Sequence, residues 1–136
     1  MTLKNLRPEK LRAKIIRKGL FVQLKYPSKL VEKENKLFRT ILDRALYDLT
    51  SSNKEHRKEL IEWFNPNNQH FKEICYCASL NYLKTYNMVL FILQNFFPLI
   101  LNELYCYQEQ NGDIFKFSPE LTSFKSGDIK DFILSD

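Results

Sequence analysis

The sequence predicts an all-α fold, a single-domain bundle of about six helices, and three observations support this. The chain has 136 residues, a length typical of one domain that buries a core without disulfides or metals. Its three glycines are too few for the tight turns that many short strands need. Apolar residues recur at the three- and four-residue spacing of amphipathic helices, and an aromatic content of 14% argues against disorder.

Start and stop signals divide the N-terminal half of the chain. Pro8 and Gly19 delimit a basic helix over residues 8–18, and the following linker, which ends at Tyr26-Pro27, can form one short strand. Ser28 is the predicted N-cap of a long helix over residues 29–50. The apolar residues of this helix share one side, and we assign all of them to the core, namely Leu30, Leu37, Phe38, Ile41, Leu42, Ala45, Leu46 and Leu49.

Two shorter helices come next. Ser52 and Glu55 form a capping box that predicts a helix over residues 53–64, which ends at Asn65-Pro66. Asn67 or Asn68 caps the following helix, whose inner face carries Phe71, Ile74, Cys75 and Ala78.

The stretch from His70 to Asn95 is the centre of the functional prediction. It forms two helices joined by the turn Ser79-Leu80-Asn81, the compact arrangement that many DNA-reading modules use. Asn81 caps the second helix, whose first turns expose donors and acceptors suited to base edges and phosphates. The residues predicted to contact DNA from this helix are Asn81, Lys84, Thr85 and Asn87.

Further along the same helix the outer side becomes apolar. Met88, Phe91 and Ile92 need cover, either from the C-terminal tail or from a second copy of the chain, and they form the predicted partner interface.

Pro98 interrupts the helical pattern, so a kink or a new helix begins there, and residues 99–110 form the sixth helix. Beyond it, residues 114–117 alternate weakly and can form a short β or irregular segment. A short terminal helix docks through Ile129, Phe132 and Ile133. The chain thus divides into a basic arm and linker (1–28), a helical core (29–110) with the helix-turn-helix-like unit at 70–95, and an acidic tail (111–136) that packs on the core.

The net charge is +5, but the charged residues are distributed unevenly along the chain. Residues 1–40 carry twelve Lys or Arg against three Glu, whereas residues 101–136 carry three Lys against seven Asp or Glu. A basic segment of this density attracts polyanions by counterion release, and its predicted phosphate contacts are Arg7, Lys10, Arg12, Lys14, Arg17 and Lys18. A solvated basic helix docked on the domain remains an alternative, and a membrane-surface helix is less favoured because the apolar side lacks Trp and Phe.

Other function classes find little support. Cys75, Cys77 and Cys106 are odd in number and lack the CxxC spacing of metal sites, so we expect buried thiols, no metal and no cofactor. The apolar run from Met88 to Leu101 is interrupted too often to span a bilayer. No catalytic motif is present, and the absence of a signal peptide favours the cytoplasm, so a non-enzymatic cytoplasmic protein is expected.

Residues 41–86 resemble a group of small proteins from temperate phages and phage-like elements. The matching features are Ala45-Leu46, Asp48-Leu49, Arg57, Ile61, Trp63-Phe64, Phe71, Ile74-Cys75, Ser79, Leu80 and Asn81. The loop 65–70 is longer than in that group, and Tyr82 stands where a proline often begins the last helix. The resemblance implies a helix-turn-helix-like regulator or accessory protein of a phage-type gene cluster.

These observations favour a DNA-binding protein, a transcriptional regulator that reads duplex DNA with the helix beginning at Asn81 and holds phosphates with the basic arm. One alternative is a protein-binding adaptor, for instance on RNA polymerase or another regulatory factor, or a homodimeric accessory protein that uses Met88, Phe91 and Ile92. The second alternative is RNA binding by the same arm.

Overall fold

The computed structural model describes residues 7–112, 114–121 and 126–135, and this part of the chain is all-helical, as predicted. Its elements are α1 (Pro8–Lys18), α2 (Lys29–Leu49), α3 (Lys54–Trp63), α4 (Gln69–Cys77), α5 (Tyr82–Phe96), α6 (Pro98–Gln110), a 3-10 turn (Pro119–Leu121) and α7 (Ser126–Leu134). The first six residues of the predicted basic arm lie outside the described residues. The short strand expected in the linker before Ser28 was wrong, since those residues form turns and bends.

Side-chain caps fix where most helices begin. Ser28, Asn68 and Asn81 accept hydrogen bonds from the backbone N–H groups of Val31 (3.2 Å), Phe71 (3.0 Å) and Lys84 (3.0 Å), which confirms their predicted roles. At α3 the cap is Asn53, which accepts from the His56 N–H at 3.2 Å, rather than the predicted Ser52.

Helices α1, α3 and α4 all pack against α2. Leu42, Leu46 and Leu49 are fully buried on its inner side, as predicted. The assignment of every apolar residue of α2 to the core was wrong, because the opposite side exposes Leu30 and Leu37 (66% each) and Ile41 (38%). This helix therefore has a second apolar stripe that no described residue covers.

Helix α5 is the central helix of the domain and lies against α4, α6 and the 3-10 turn. Nearly every side chain from Thr85 to Phe96 is buried or half-buried, so this helix has no solvent-facing side along most of its length. None of the helices in the described residues combines the length and apolarity needed to cross a bilayer.

The C-terminal elements close the fold. Helix α7 packs on α1 and buries Ile129, Phe132 and Ile133, as the apolar pattern predicted. The irregular segment 114–118 and the 3-10 turn lie along α5.

Candidate nucleic-acid interface

The turn between α4 and α5 is built on Ser79, which has a left-handed φ of 56°. This conformation lets the N–H groups of Ser79 and Leu80 donate to the carbonyls of Tyr76 (3.0 Å) and Cys75 (2.9 Å), the pattern of a Schellman motif. The Ser79 hydroxyl also accepts a hydrogen bond from the Asn35 side chain on α2. The start of α5 is therefore fixed against the N-terminal half of α2.

Only the first turn of α5 presents polar side chains to solvent. Asn81 and Lys84 are exposed, as predicted. The expectation that Thr85 and Asn87 face outward was wrong, since they are 4% and 3% exposed. Thr85 hydrogen-bonds the Cys75 thiol in the core, where burial raises the pKa of that thiol to about 12. A set of four exposed contacts to base edges is thus reduced to two.

Asn87 is buried because it holds the C-terminal segment. Its side-chain amide donates to the Ser118 carbonyl at 2.8 Å, and its side-chain carbonyl accepts from the Ser118 N–H at 2.7 Å. Gln108 makes a parallel attachment, accepting from the Phe115 N–H at 2.8 Å while donating to the Tyr86 hydroxyl. Two side-chain amides thereby fasten residues 114–118 along α5.

This segment also covers the predicted partner interface. Met88 and Ile92 are 2% and 0% exposed, so their assignment to an exposed interface was wrong. Phe91 is half-buried, and its ring packs against Phe117 with centroids 5.7 Å apart. Of the two covers considered, the chain's own C-terminal tail is the one observed at Phe91.

The cations of α1 divide into exposed and structural ones. Arg7, Lys10 and Arg17 are exposed and Lys18 is half-buried. Lys14 is only 5% exposed, so the prediction that it contacts phosphate was wrong.

The Arg12 side chain also packs against other residues of the protein. Its guanidinium donates to the Thr50 hydroxyl at 3.0 Å and to the Tyr47 carbonyl at 3.3 Å, and it lies 4.3 Å from the centroid of the Tyr47 ring. Because these contacts anchor the middle of α1 to the C-terminal end of α2, the predicted phosphate contact by Arg12 is not supported.

The loop after α1 is fastened to α2 by two buried charges. Asp43 accepts the backbone N–H groups of Leu20 (2.6 Å), Phe21 (2.8 Å) and Val22 (3.1 Å). Burial raises the pKa of this carboxyl to about 6, although the three donors favour its charged form. Together with the Arg12 contacts near Thr50, this fixes α1 antiparallel to α2, with Gly19 near the middle of the helix.

Arg39 holds the remainder of that loop. Its guanidinium donates to the carbonyls of Leu24 (2.6 Å) and Phe21 (3.3 Å), and also to Ala78 (2.8 Å) at the end of α4. The Tyr26 ring lies 3.6 Å from the guanidinium carbon. Arg39 thus joins the loop, α2 and the α4–α5 turn at one point.

Beyond the part of α2 that α1 covers, the same side of the helix carries exposed lysines. At about 100° per residue, Lys29, Lys33 and Lys36 lie within about 40° of Tyr47, the residue that Arg12 contacts. Arg17 and Lys18 directly precede the loop that Asp43 holds, and Asp43 lies seven residues, or about 10 Å, along α2 from Lys36. We call these five residues, Arg17, Lys18, Lys29, Lys33 and Lys36, the basic flank.

Sequence reasoning did not single out the three lysines of α2, although their spacing of four and three residues was visible. Neighbouring Glu32 and Glu34 made the start of the helix look mixed in charge. On the wheel Glu34 lies on the opposite side from the lysines, whereas Glu32 lies about 40° from Lys36 and leaves one carboxylate beside the flank. No family model, curated protein or solved structure matches the chain.

Proposed function

We propose that the protein binds duplex DNA through its phosphates, with the basic flank as the main contact surface. The observation that carries this proposal is the row of three exposed lysines on one side of α2, on the helix to which Asp43 holds the loop that follows the cationic end of α1. A row of lysines can contact successive phosphates of a polyanion. Binding then releases the polyanion's counterions, which contributes affinity whatever the base sequence.

Base readout by α5, which the sequence predicted, is not part of this mode of binding. A recognition helix needs several side chains that reach base edges, and Thr85 and Asn87 are committed to contacts inside the protein. Asn81 and Lys84 remain exposed, close to Ser79 and to Asn35, the α2 residue that bonds it. In our proposal these two residues are not DNA contacts, because Asn35, which holds this turn, lies about 120° around α2 from Lys29 and the basic flank.

Binding of this kind suits an accessory or architectural protein of a phage-type gene cluster, in which sequence choice comes from another factor or from DNA shape. RNA remains the alternative polyanion. A-form RNA differs from B-form DNA in groove geometry and in its 2′-hydroxyls, so competition between the two duplexes distinguishes them.

The test is a fluorescence-anisotropy titration of a labelled duplex at low ionic strength. The variant K29A/K33A/K36A is compared with K54A/K58A/K116A, which removes the same charge at exposed lysines outside the flank. We expect the flank variant to bind on the order of tenfold or more weakly and the control to stay close to the wild type. Equal losses in both variants would reduce the interaction to net charge alone, and stronger competition by RNA would reassign the ligand.

A further inference from the structure

The exposed apolar stripe of α2 has the spacing of a coiled-coil seam. Six residues follow one another at intervals of four and three along the helix, namely Leu30, Glu34, Leu37, Ile41, Arg44 and Asp48. They lie on the side of α2 opposite the buried Arg39. Three of the six, Leu30, Leu37 and Ile41, are exposed apolar side chains, and contiguous exposed apolar residues mark sites of association.

The seam is complementary to itself when a second copy of α2 runs antiparallel to it. With the twofold axis at Arg39, Leu37 faces Ile41 of the other copy and Glu34 faces its Arg44. The centre of the interface is then apolar, and on each side Glu34 of one copy meets an Arg44 that also pairs with Asp48 of its own helix at 3.3 Å. The same register places Lys29 opposite Leu49, so both copies of α2 overlap over their full length.

The third pairing of this register has a recess to receive it. Leu30 faces Asp48 of the other copy, beside a groove of 660 Å³ between α2 and α3. Ala45, Leu60 and Trp63 contribute its apolar lining. The Trp63 indole is held in place because its N–H donates to His70 Nδ1 at 2.9 Å. A leucine that is 66% exposed in one copy thus lies beside the apolar part of a groove whose remaining lining, Asp48 included, is mostly charged or polar.

From the period, the charge pairing and the recess together, we infer that the protein forms an antiparallel homodimer through α2. This interface differs from the Met88, Phe91 and Ile92 surface and does not depend on the DNA-binding proposal.

Charge reversal tests both the dimer and its register. Sedimentation-velocity experiments over a range of loading concentrations should show wild-type self-association, and Glu34→Arg or Arg44→Glu alone should weaken it on the order of tenfold by placing like charges opposite each other twice. An equimolar mixture of the two single variants should associate again, because both charge pairs of the mixed dimer then join an arginine to a glutamate.

Two further variants serve as controls. Leu37→Asp should abolish association, whereas Leu99→Asp, at a leucine that is 77% exposed on α6, should leave it unchanged. Because all four positions are solvent-exposed, circular dichroism spectra close to that of the wild type are expected for each variant.

A wild-type chain that stays monomeric at every concentration overturns the inference and leaves the stripe to a different protein. A dimer that is indifferent to Leu37→Asp, or single variants that do not associate when mixed, overturns this interface or its register.

Discussion

Arg39 and Asp43 lie one turn apart on α2 and hydrogen-bond the same loop, Asp43 to its backbone N–H groups and Arg39 to its backbone carbonyls. The carboxylate accepts three successive N–H groups at the start of the loop, and the guanidinium donates to the carbonyls of Phe21 and Leu24. Buried polar groups are costly unless they are paired, so these two side chains satisfy a loop that has no ladder or helix of its own. Through it they set where α1, and with it the cationic end of the basic flank, lies on the domain.

The Asp43 carboxyl makes stability depend on pH. Its pKa is about 6 in the folded protein against an ordinary value of 3.8, so between these values the folded chain holds a proton that the unfolded chain releases. Stability is therefore expected to fall as pH rises from about 4 to 6 and to level off above, by about 3 kcal/mol in total.

The check is chemical denaturation of the wild type and Asp43→Asn at several pH values. The difference in unfolding free energy between them should change across pH 4 to 6 in favour of the variant. A difference that stays constant over this window would show that Asp43 does not titrate there.

Gly19 is required by its closeness to Asp43. A Cβ atom at this position would lie 2.6 Å from Asp43 Oδ2, and the backbone φ is +79°. Gly112 has the same φ but open space around it, which makes it a matched control. We expect Gly19→Ala to cost about 1–3 kcal/mol more than Gly112→Ala in urea denaturation, since only the first adds overpacking to backbone strain. Equal losses of unfolding free energy in the two variants would show that the loop accommodates the added methyl group at no extra cost.

Ser79 lies in a conformation that favours glycine. Both Ser79→Gly and Ser79→Ala remove the hydroxyl that accepts from Asn35, but only glycine relieves the positive φ. We expect the glycine variant to exceed the alanine variant by about 1 kcal/mol in unfolding free energy. Thermal and urea denaturation of the pair measure this difference, and an alanine variant of equal stability would argue against the left-handed turn.

Asn87 is predicted to keep the C-terminal segment on α5. Asn87→Ala removes both hydrogen bonds to Ser118 and should destabilise the protein by about 1–3 kcal/mol. Amide hydrogen exchange should also accelerate at residues 114–118. The control is Asn95→Ala, because the Asn95 side chain bonds only a carbonyl within its own helix, that of Phe91. Unchanged exchange in the Asn87 variant would show that other contacts hold the segment.

Two helices show how far the sequence could predict this protein. The limits of α1 agree with the structure and those of α2 differ by one residue, because caps and apolar period are local signals. Leu37 and Leu42 lie about 140° apart on the wheel, each on an apolar stripe, and only the placement of α1, α3 and α4 decides which of the two stripes is buried.

At α5 the difficulty was distance along the chain. Its polar start looked free for DNA, but Asn87 pairs with Ser118, thirty-one residues further on, and no local pattern encodes that contact. The exposed cations of α1 were predictable from charge density. Which arginine or lysine would be used for packing, as Arg12 and Lys14 are, depended on the docking of α1.

The salt dependence of DNA binding distinguishes phosphate contact by the basic flank from base readout. The logarithm of the association constant should fall linearly with the logarithm of salt concentration, with similar slopes for two unrelated duplexes of equal length. K29A/K33A/K36A should reduce the magnitude of that slope by about 2 to 3, close to 0.9 for each lost phosphate contact. A slope that the triple variant leaves unchanged, or affinities that differ by orders of magnitude between the two duplexes, would contradict binding through the basic flank.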